Sequence, residues 1–305
     1  MPDLLSMSNG NPIIQVEQLT KQYGQSVGID RINFEVNAGE IFGFLGPNGA
    51  GKTTTIRLLL DLLRPSSGKI YLFQKPLQLN SLEIRQRCGY LPGDFSVINN
   101  MTAAEFLTFA GQLRGEHEIN SENLSTRLSL QGDLSRKIRH LSQGTRQKIG
   151  IIQAFSHQPE LVILDEPTIG LDPLVKEEFY NFLQEYRQQG KTIFLSSHNL
   201  AEVERVCDRV AIVRKGKLVA SESLENLKKN RFRRLSLTLK HPVDQLQLPG
   251  GQLISQKGLQ VELLVKGEIL PLLRELSNLP LADFTFPEPS LEEIFLYYYR
   301  ENQND

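Results

Sequence analysis

The chain has 305 residues, 40% of them hydrophobic with Tyr counted, 23 Gly and 15 Pro, which excludes collagen-like, low-complexity and wholly disordered classes and leaves one large domain or two unequal ones. Lys and Arg total 34 against 35 Asp and Glu, a net charge of −1, so no global field draws the chain to nucleic acid or an anionic membrane. Two Cys, Cys88 and Cys207, cannot make a disulfide framework and fit a reducing compartment, and no apolar run approaches the ~20 residues of a membrane helix.

Residues 1–12, MPDLLSMSNGNP, are polar and turn-rich; they are expected to fray, and they lack the basic and apolar regions of a secretory signal. IIQVEQL from Ile13 and IDRINFEV from Ile29 read as strands, and EIFGFLG, ending at Gly46, as a buried strand entering a glycine turn. TTTIRLLLDLL predicts a helix stopped by Arg64-Pro65-Ser66-Ser67-Gly68. From about 95 to 158 the strand signal almost vanishes, and Thr102 with Glu105 forms the capping box of a helix. LVILD, ending at Asp165, restores the strand pattern. Asp172-Pro173 opens a helix by cap and first-turn proline, TIFLSS ends before His198, and RVAIVRKGKLVA reads as a strand and hairpin. Strands alternating with helices predict an α/β fold on a parallel sheet, with a helical insertion. After about residue 221 the pattern changes to RLSLTL, LQVELLVK, a helix near 268–279, DFTF and SLEEIFLYYY, a small α+β unit. The basic stretch KKNRFRR at 228–234 reads as a solvated connection between the two, with a lipid-touching patch as the less favoured alternative.

Gly46-Pro47-Asn48-Gly49-Ala50-Gly51-Lys52-Thr53 fits G-x-x-x-x-G-K-[ST] between a predicted strand and a predicted helix. Glycines let backbone N–H groups turn inward around phosphate oxygens, and the helix start adds positive potential. Lys52 can reach the β- and γ-phosphates and the Thr53 hydroxyl can hold Mg²⁺; Thr54 is read with the loop residues as nucleotide-binding. Alone, this leaves kinases, GTPases and motor ATPases open. In LVILDEP, Asp165 at a strand tip can bind Mg²⁺ directly or through water, and Glu166 can polarise an attacking water; the bland alternative is a surface acidic pair.

With LSQGT at 141–145, LDE at 164–166, GLD at 170–172 and SSH ending at His198, the order and spacing over residues 13–220 resemble the ABC ATPases. The resemblance implies a P-loop NTPase ABC ATPase core, a mixed sheet with helices and an α-helical subdomain at about 95–158, followed by a small α+β domain at 221–305. It implies that Ser142 and Gly144 contact the γ-phosphate of ATP on the opposite subunit, that Asp172 lies in the loop communicating across the dimer, that His198 is the switch histidine and that Tyr23, in LTKQYG, stacks on adenine. Asp172 is also a simple N-cap, and a lone His after a strand is ordinarily structural.

Three positions depart from the family pattern. Gln143 and Thr145 stand in the signature where LSGGQ is usual, a variant resembling those of drug- and antibiotic-exporting systems. After GYLP the family has Gln bridging metal, water and membrane subunit; here stand Gly93 and Asp94, so that contact is lost or passes to Asp94 or water. GLD replaces ALD. The tail, with PSLEEIF at 289–295, also looks like the C-terminal extension of that exporter subgroup, and Leu291, Ile294, Phe295 and Tyr298 share a helical packing face read as a docking or dimerisation element. The resemblance implies an ATP- and Mg²⁺-dependent motor subunit on the cytoplasmic face of a membrane, paired with a second ATPase subunit and a transmembrane permease for export, without nucleic acid. A non-membrane ABC ATPase acting on ribosomes or DNA is the alternative, though such chains usually fuse two domains or carry long coiled coils, and here about 90 residues separate Lys52 from Ser142.

Overall fold

In the computed structural model, residues 12–95, 100–115, 122–229, 233–243, 246, 248–267, 269–288 and 290–295 are described. Residues 1–11, the middle of the basic stretch and Tyr298 lie outside the described residues. The chain divides into two compact units, Met1–Glu222 and Ser223–Asp305.

In the first unit, β1 (Pro12–Tyr23) and β2 (Ser26–Asn37) form an antiparallel hairpin, with Val16 opposite Phe34 and Tyr23 opposite Ser26. Buried Ile29 and Ile32 are three apart, not two, because Arg31 adopts a left-handed φ of 46° beside Gln18 at 47°. This bulge keeps both flanking runs facing the core, and its backbone is satisfied locally: Gln18 N–H donates to Asn33 Oδ1 and Arg31 N–H to Thr20 Oγ1. β3 (Ile41–Leu45) leads into α1 (Lys52–Leu59), then β4 (Ser67–Leu72), β5 (Lys75–Pro76), α2 (Leu77–Gln86) and β6 (Cys88–Leu91). Helix α1 ends well before Arg64. Asp61 enters the left-handed region at φ 55°, and the N–H groups of Leu62 and Leu63 both return to the Arg57 carbonyl, closing the last turn.

The helical segment comprises α3 (Ala103–Leu113), α4 (Glu122–Arg127), short 3₁₀ turns and α5 (Gln143–Phe155). Both capping-box bonds form, Thr102 N–H donating to Glu105 Oε2 and Glu105 N–H to Thr102 Oγ1. β7 (Leu161–Asp165), α6 (Pro173–Gln188), β8 (Thr192–Ser197), α7 (Leu200–Val206), β9 (Arg209–Arg214) and β10 (Lys217–Ser223) complete the unit. Arg127 of α4 pairs with both Glu178 and Glu185 of α6.

The central sheet runs β10-β9-β3-β8-β7-β6, with β9, β3, β8, β7 and β6 mutually parallel as the strand–helix alternation predicts. Every residue of β3, β7 and β8 is buried, as strands covered on both faces require. A second, antiparallel sheet, β2-β1-β4-β5, contributes to the same core. There Phe34, Phe42, Phe44 and Phe194 pack with ring centroids 5.4–6.1 Å apart. Burying each ring contributes roughly 2–3 kcal/mol.

In the second unit, α8 (Leu224–Lys229), β11 (Arg233–Leu239), β12 (Gly251–Lys257), β13 (Gln260–Val265), α9 (Ile269–Ser277) and β14 (Leu281–Thr285) form an α+β fold on an antiparallel sheet ordered β12-β13-β11-β14. Leu235, Leu237, Val261 and Leu263 meet Leu272 and Leu276 of α9 in its core. Leu291 and Ile294 are buried by the chain itself, so this pair offers no docking surface. Among the described residues no helix is long and apolar enough to cross a membrane.

Candidate active site

The parallel register assembles the site. Leu45 of β3 lies opposite Ser197 of β8, and Ser196 opposite Asp165 of β7. The carboxyl ends of three adjacent strands therefore present the Gly46–Thr53 loop, His198 and the Asp165–Glu166 pair along one edge, where ligands of open α/β sheets bind.

Gly51 caps α1 in the left-handed region at φ 108°, and a Cβ there would come within 2.6 Å of Ile29 Cγ2 and 2.8 Å of the Gly28 carbonyl, so the motif's second glycine is sterically required. The loop is braced from below: Ala50 N–H donates to the Pro47 carbonyl, and Gly216, in the turn between β9 and β10, donates to the Ala50 carbonyl. Lys52 is 6% exposed; its Nζ donates to the Gly46 carbonyl at 2.7 Å and lies 3.4 Å from Glu166 Oε1. Tyr23 stands at the rim of the loop, about half exposed, with its hydroxyl 3.5 Å from Thr54 Oγ1 and its ring against Gly28.

Thr53 Oγ1 donates to Asp165 Oδ2 at 3.0 Å, while Asp165 Oδ1 is buried without a hydrogen-bond partner. An orphaned carboxylate oxygen beside a hydroxyl is a hard, oxygen-only donor set that fits Mg²⁺. Among the described residues no cluster of three or more His, Cys, Asp or Glu could hold a metal alone, so an ion here would draw further ligands from phosphate and water. Burial and the neighbouring Asp165 charge push the Tyr90 hydroxyl up to about 12, so it stays a neutral donor beside this carboxylate. A Cβ on Gly93 would lie 3.3 Å from Asp165 Cγ and Oδ2: the position without a side-chain ligand abuts the metal-competent carboxylate.

Glu166 adopts a left-handed φ of 51°, unusual for a residue with a side chain, directly after its strand. Its Oε2 accepts from His198 Nδ1 at 2.8 Å while Oε1 faces Lys52, and its side chain is only 14% exposed. A carboxylate held between a lysine and an imidazole can accept a proton from a water attacking a phosphate. Behind His198, Ser197 Oγ accepts from Asn199 N–H and donates to Glu202 Oε2 at 2.8 Å. Desolvation pushes the buried Glu202 carboxyl up.

Ser142, Gly144 and Asp172 are brought together elsewhere. Ser142 caps α5, its Oγ accepting from Thr145 N–H, and Asp172 caps α6, accepting from Val175 N–H. Gly144 lies against the Gly170 carbonyl. Two residues of the site escaped the motif reading. Glu202 was visible as the last member of an Asn-x-x-Glu cap at Asn199. Gln147 was visible as a polar intruder in the buried stripe Gln147, Gly150, Ile151, Ala154 and Phe155; its amide reaches back to the Glu166 and Pro167 carbonyls.

Comparison with known proteins agrees with this geometry. Residues 29–169 match the family model described as ABC transporter. The chain is 40% identical over 232 residues to the bacitracin transport ATP-binding protein BcrA of Bacillus licheniformis, covering 74% of this chain and 75% of that one. It is 36% identical over 223 residues to the probable multidrug ABC transporter ATP-binding protein YbhF of Escherichia coli, covering 72% of this chain but 38% of that longer one. A solved structure of the ATP-binding subunit of an ABC transporter superposes with a TM-score of 0.67 at 31% identity, covering 71% of this chain and 92% of the other.

Proposed function

The chain belongs to the ABC transporter family, whose ATP-binding subunits are ATPases coupled to transport, and we propose that it is the motor of an export system whose membrane-spanning parts are separate chains. Two copies, or one copy and a similar subunit, meet head-to-tail on the cytoplasmic face and share two ATP molecules. Each nucleotide lies between the Gly46–Thr53 loop of one subunit and the Ser142–Thr145 segment of the other. Support for export of an antibiotic-like or drug-like cargo comes from relatives named for bacitracin and multidrug transport.

The roles follow from chemistry. Loop amides and Lys52 hold the phosphates, and Tyr23 offers its ring to adenine. Thr53 and Asp165 would hold Mg²⁺, which neutralises phosphate charge when bound. Glu166 takes the proton of the attacking water, and His198 orients Glu166 and reads the γ-phosphate. Ser142 Oγ accepts from Thr145 N–H and shares a 2.8 Å hydrogen bond with Thr145 Oγ1; with the Thr145 hydroxyl donating in that bond, the Ser142 hydrogen is left to donate to an anion on the opposing subunit.

The observation that carries this reading is the convergence of Lys52 and His198 on the two oxygens of Glu166. Glu166→Gln keeps the shape and removes the base. ATP binding, measured with a fluorescent analogue, is expected to persist while turnover falls at least about 100-fold; turnover at the native rate would remove Glu166 from its role.

A further inference from the structure

We propose that Gln147 is a positioning residue for Glu166: its buried amide pins the strained Glu166–Pro167 turn and ties the hydrolytic carboxylate to helix α5. The inference rests on Glu166 being the base, as argued above.

Glu166 must hold φ at 51° for its carboxylate to stand between Lys52 and His198. Such a conformation persists only where surrounding bonds over-determine it. On the strand side, Glu166 N–H donates to the Ser196 carbonyl at 2.9 Å. On the other side, Gln147 Nε2 donates to the Glu166 carbonyl at 3.3 Å and to the Pro167 carbonyl at 3.0 Å. A glutamine amide has two N–H donors, and both are directed at this turn. Gln147 is 6% exposed, so water cannot readily take its place. Removing the amide would take the side-chain donor from the buried Pro167 carbonyl and leave the Glu166 carbonyl only the longer 3.4 Å bond from Ile169 N–H, and the turn would relax toward an ordinary φ. That relaxation swings the carboxylate away from Lys52 and His198.

The same helix grips the same segment twice more. Gly144 packs so tightly on the Gly170 carbonyl that a Cβ would come within 2.2 Å, and Lys148 Nζ lies 3.9 Å from Asp172 Oδ2. Residues 144, 147 and 148 of one helix thus hold residues 166–172. Since Ser142 is the cap of that helix, whatever positions Ser142 also sets the register of Glu166.

The test is Gln147→Met, which preserves length and removes both donors. It is expected to lower kcat for ATP about 10- to 100-fold with KM unchanged, because a carboxylate displaced by an ångström is a poor base while phosphate binding is untouched. In the Glu166→Gln background the same substitution is expected to have no further effect on residual turnover. Native kcat, a change confined to KM, or effects that multiply with Glu166→Gln would each overturn the proposal. Should Gln147→Met not yield folded protein, Gln147→Asn, one methylene too short to reach the turn, is read by the same criteria. Full turnover in Glu166→Gln alone sinks the reading of Glu166; a dead Glu166→Gln with a normal Gln147→Met sinks only the role of Gln147.

Discussion

Gly144→Ala tests how tightly the signature helix is seated. Gly144 is the second residue of α5, where alanine is the better helix former by about 1 kcal/mol. On local propensity the substitution should therefore stabilise. The tertiary contact opposes it: the new Cβ would lie 2.2 Å from the Gly170 carbonyl oxygen and 3.2 Å from its carbon, whereas ordinary contact starts at 3.4 Å. The opposing atom is backbone, in a turn fixed at φ 76°, so it cannot swing aside as a side chain would. About 1.2 Å of separation has to come from shifting α5 or the 166–172 segment. Overpacking of this kind costs about 1–3 kcal/mol, which after the propensity gain leaves a net loss of up to about 2 kcal/mol. In a chain this size that lowers the melting temperature by up to about 8 °C. A shift of this size in the helix that pins Glu166 should also cut turnover about 100-fold. Calorimetry and steady-state ATPase measurements on one preparation decide it. A Gly144→Ala protein that melts higher than the native chain and hydrolyses ATP at full rate would refute the seating described.

Other expectations are independent of the nucleotide. Burial, with help from the neighbouring Arg114 and Lys191 charges, pushes the His157 imidazole down to about 4 from 6.5. The folded state therefore stays unprotonated where the unfolded chain takes up a proton, so this group's stability contribution is intact above pH 6.5 and declines as pH falls toward 4. The loss is about 1–2 kcal/mol after allowing for partial solvation, and His157→Gln should flatten the slope in urea titrations at several pH values; an unchanged slope would show that the ring titrates normally. Phe194→Ala removes the ring at the centre of the Phe34, Phe42, Phe44 cluster and is expected to cost about 3–5 kcal/mol. A denaturation loss below about 1 kcal/mol would mean the rings do not pack as described.

How much was legible in the sequence depended on whether local chemistry or distant packing decided the outcome. The Gly46–Thr53 loop was readable because a phosphate cradle fixes residue types at fixed spacing. The Thr102–Glu105 box was readable because both partners lie within one helical turn. The end of α1 was misplaced because Asp61 adopts a glycine-like φ that no sequence rule assigns to aspartate. The bulge of Gln18 against Arg31 interrupts strand alternation by tertiary demand in the same way. Strand β12, GQLISQK, carries too few β-branched and aromatic residues to stand out, and forms because β13 offers it an edge. The contact between Gln147 and the Glu166 turn spans 19 residues and two elements. Its polarity within an apolar stripe announced that something must satisfy it, but only the fold says what.

The claim that two subunits share each nucleotide is tested most directly by light scattering of Glu166→Gln with ATP. The reading requires a dimer, of twice 34.5 kDa where two copies of this chain pair, that forms with ATP and disperses without it. Adding Ser142→Arg should abolish that species while leaving ATP binding to the monomer intact. A Glu166→Gln chain that binds ATP and stays monomeric both alone and with the similar ATPase subunit added, or a dimer indifferent to Ser142→Arg, would contradict it.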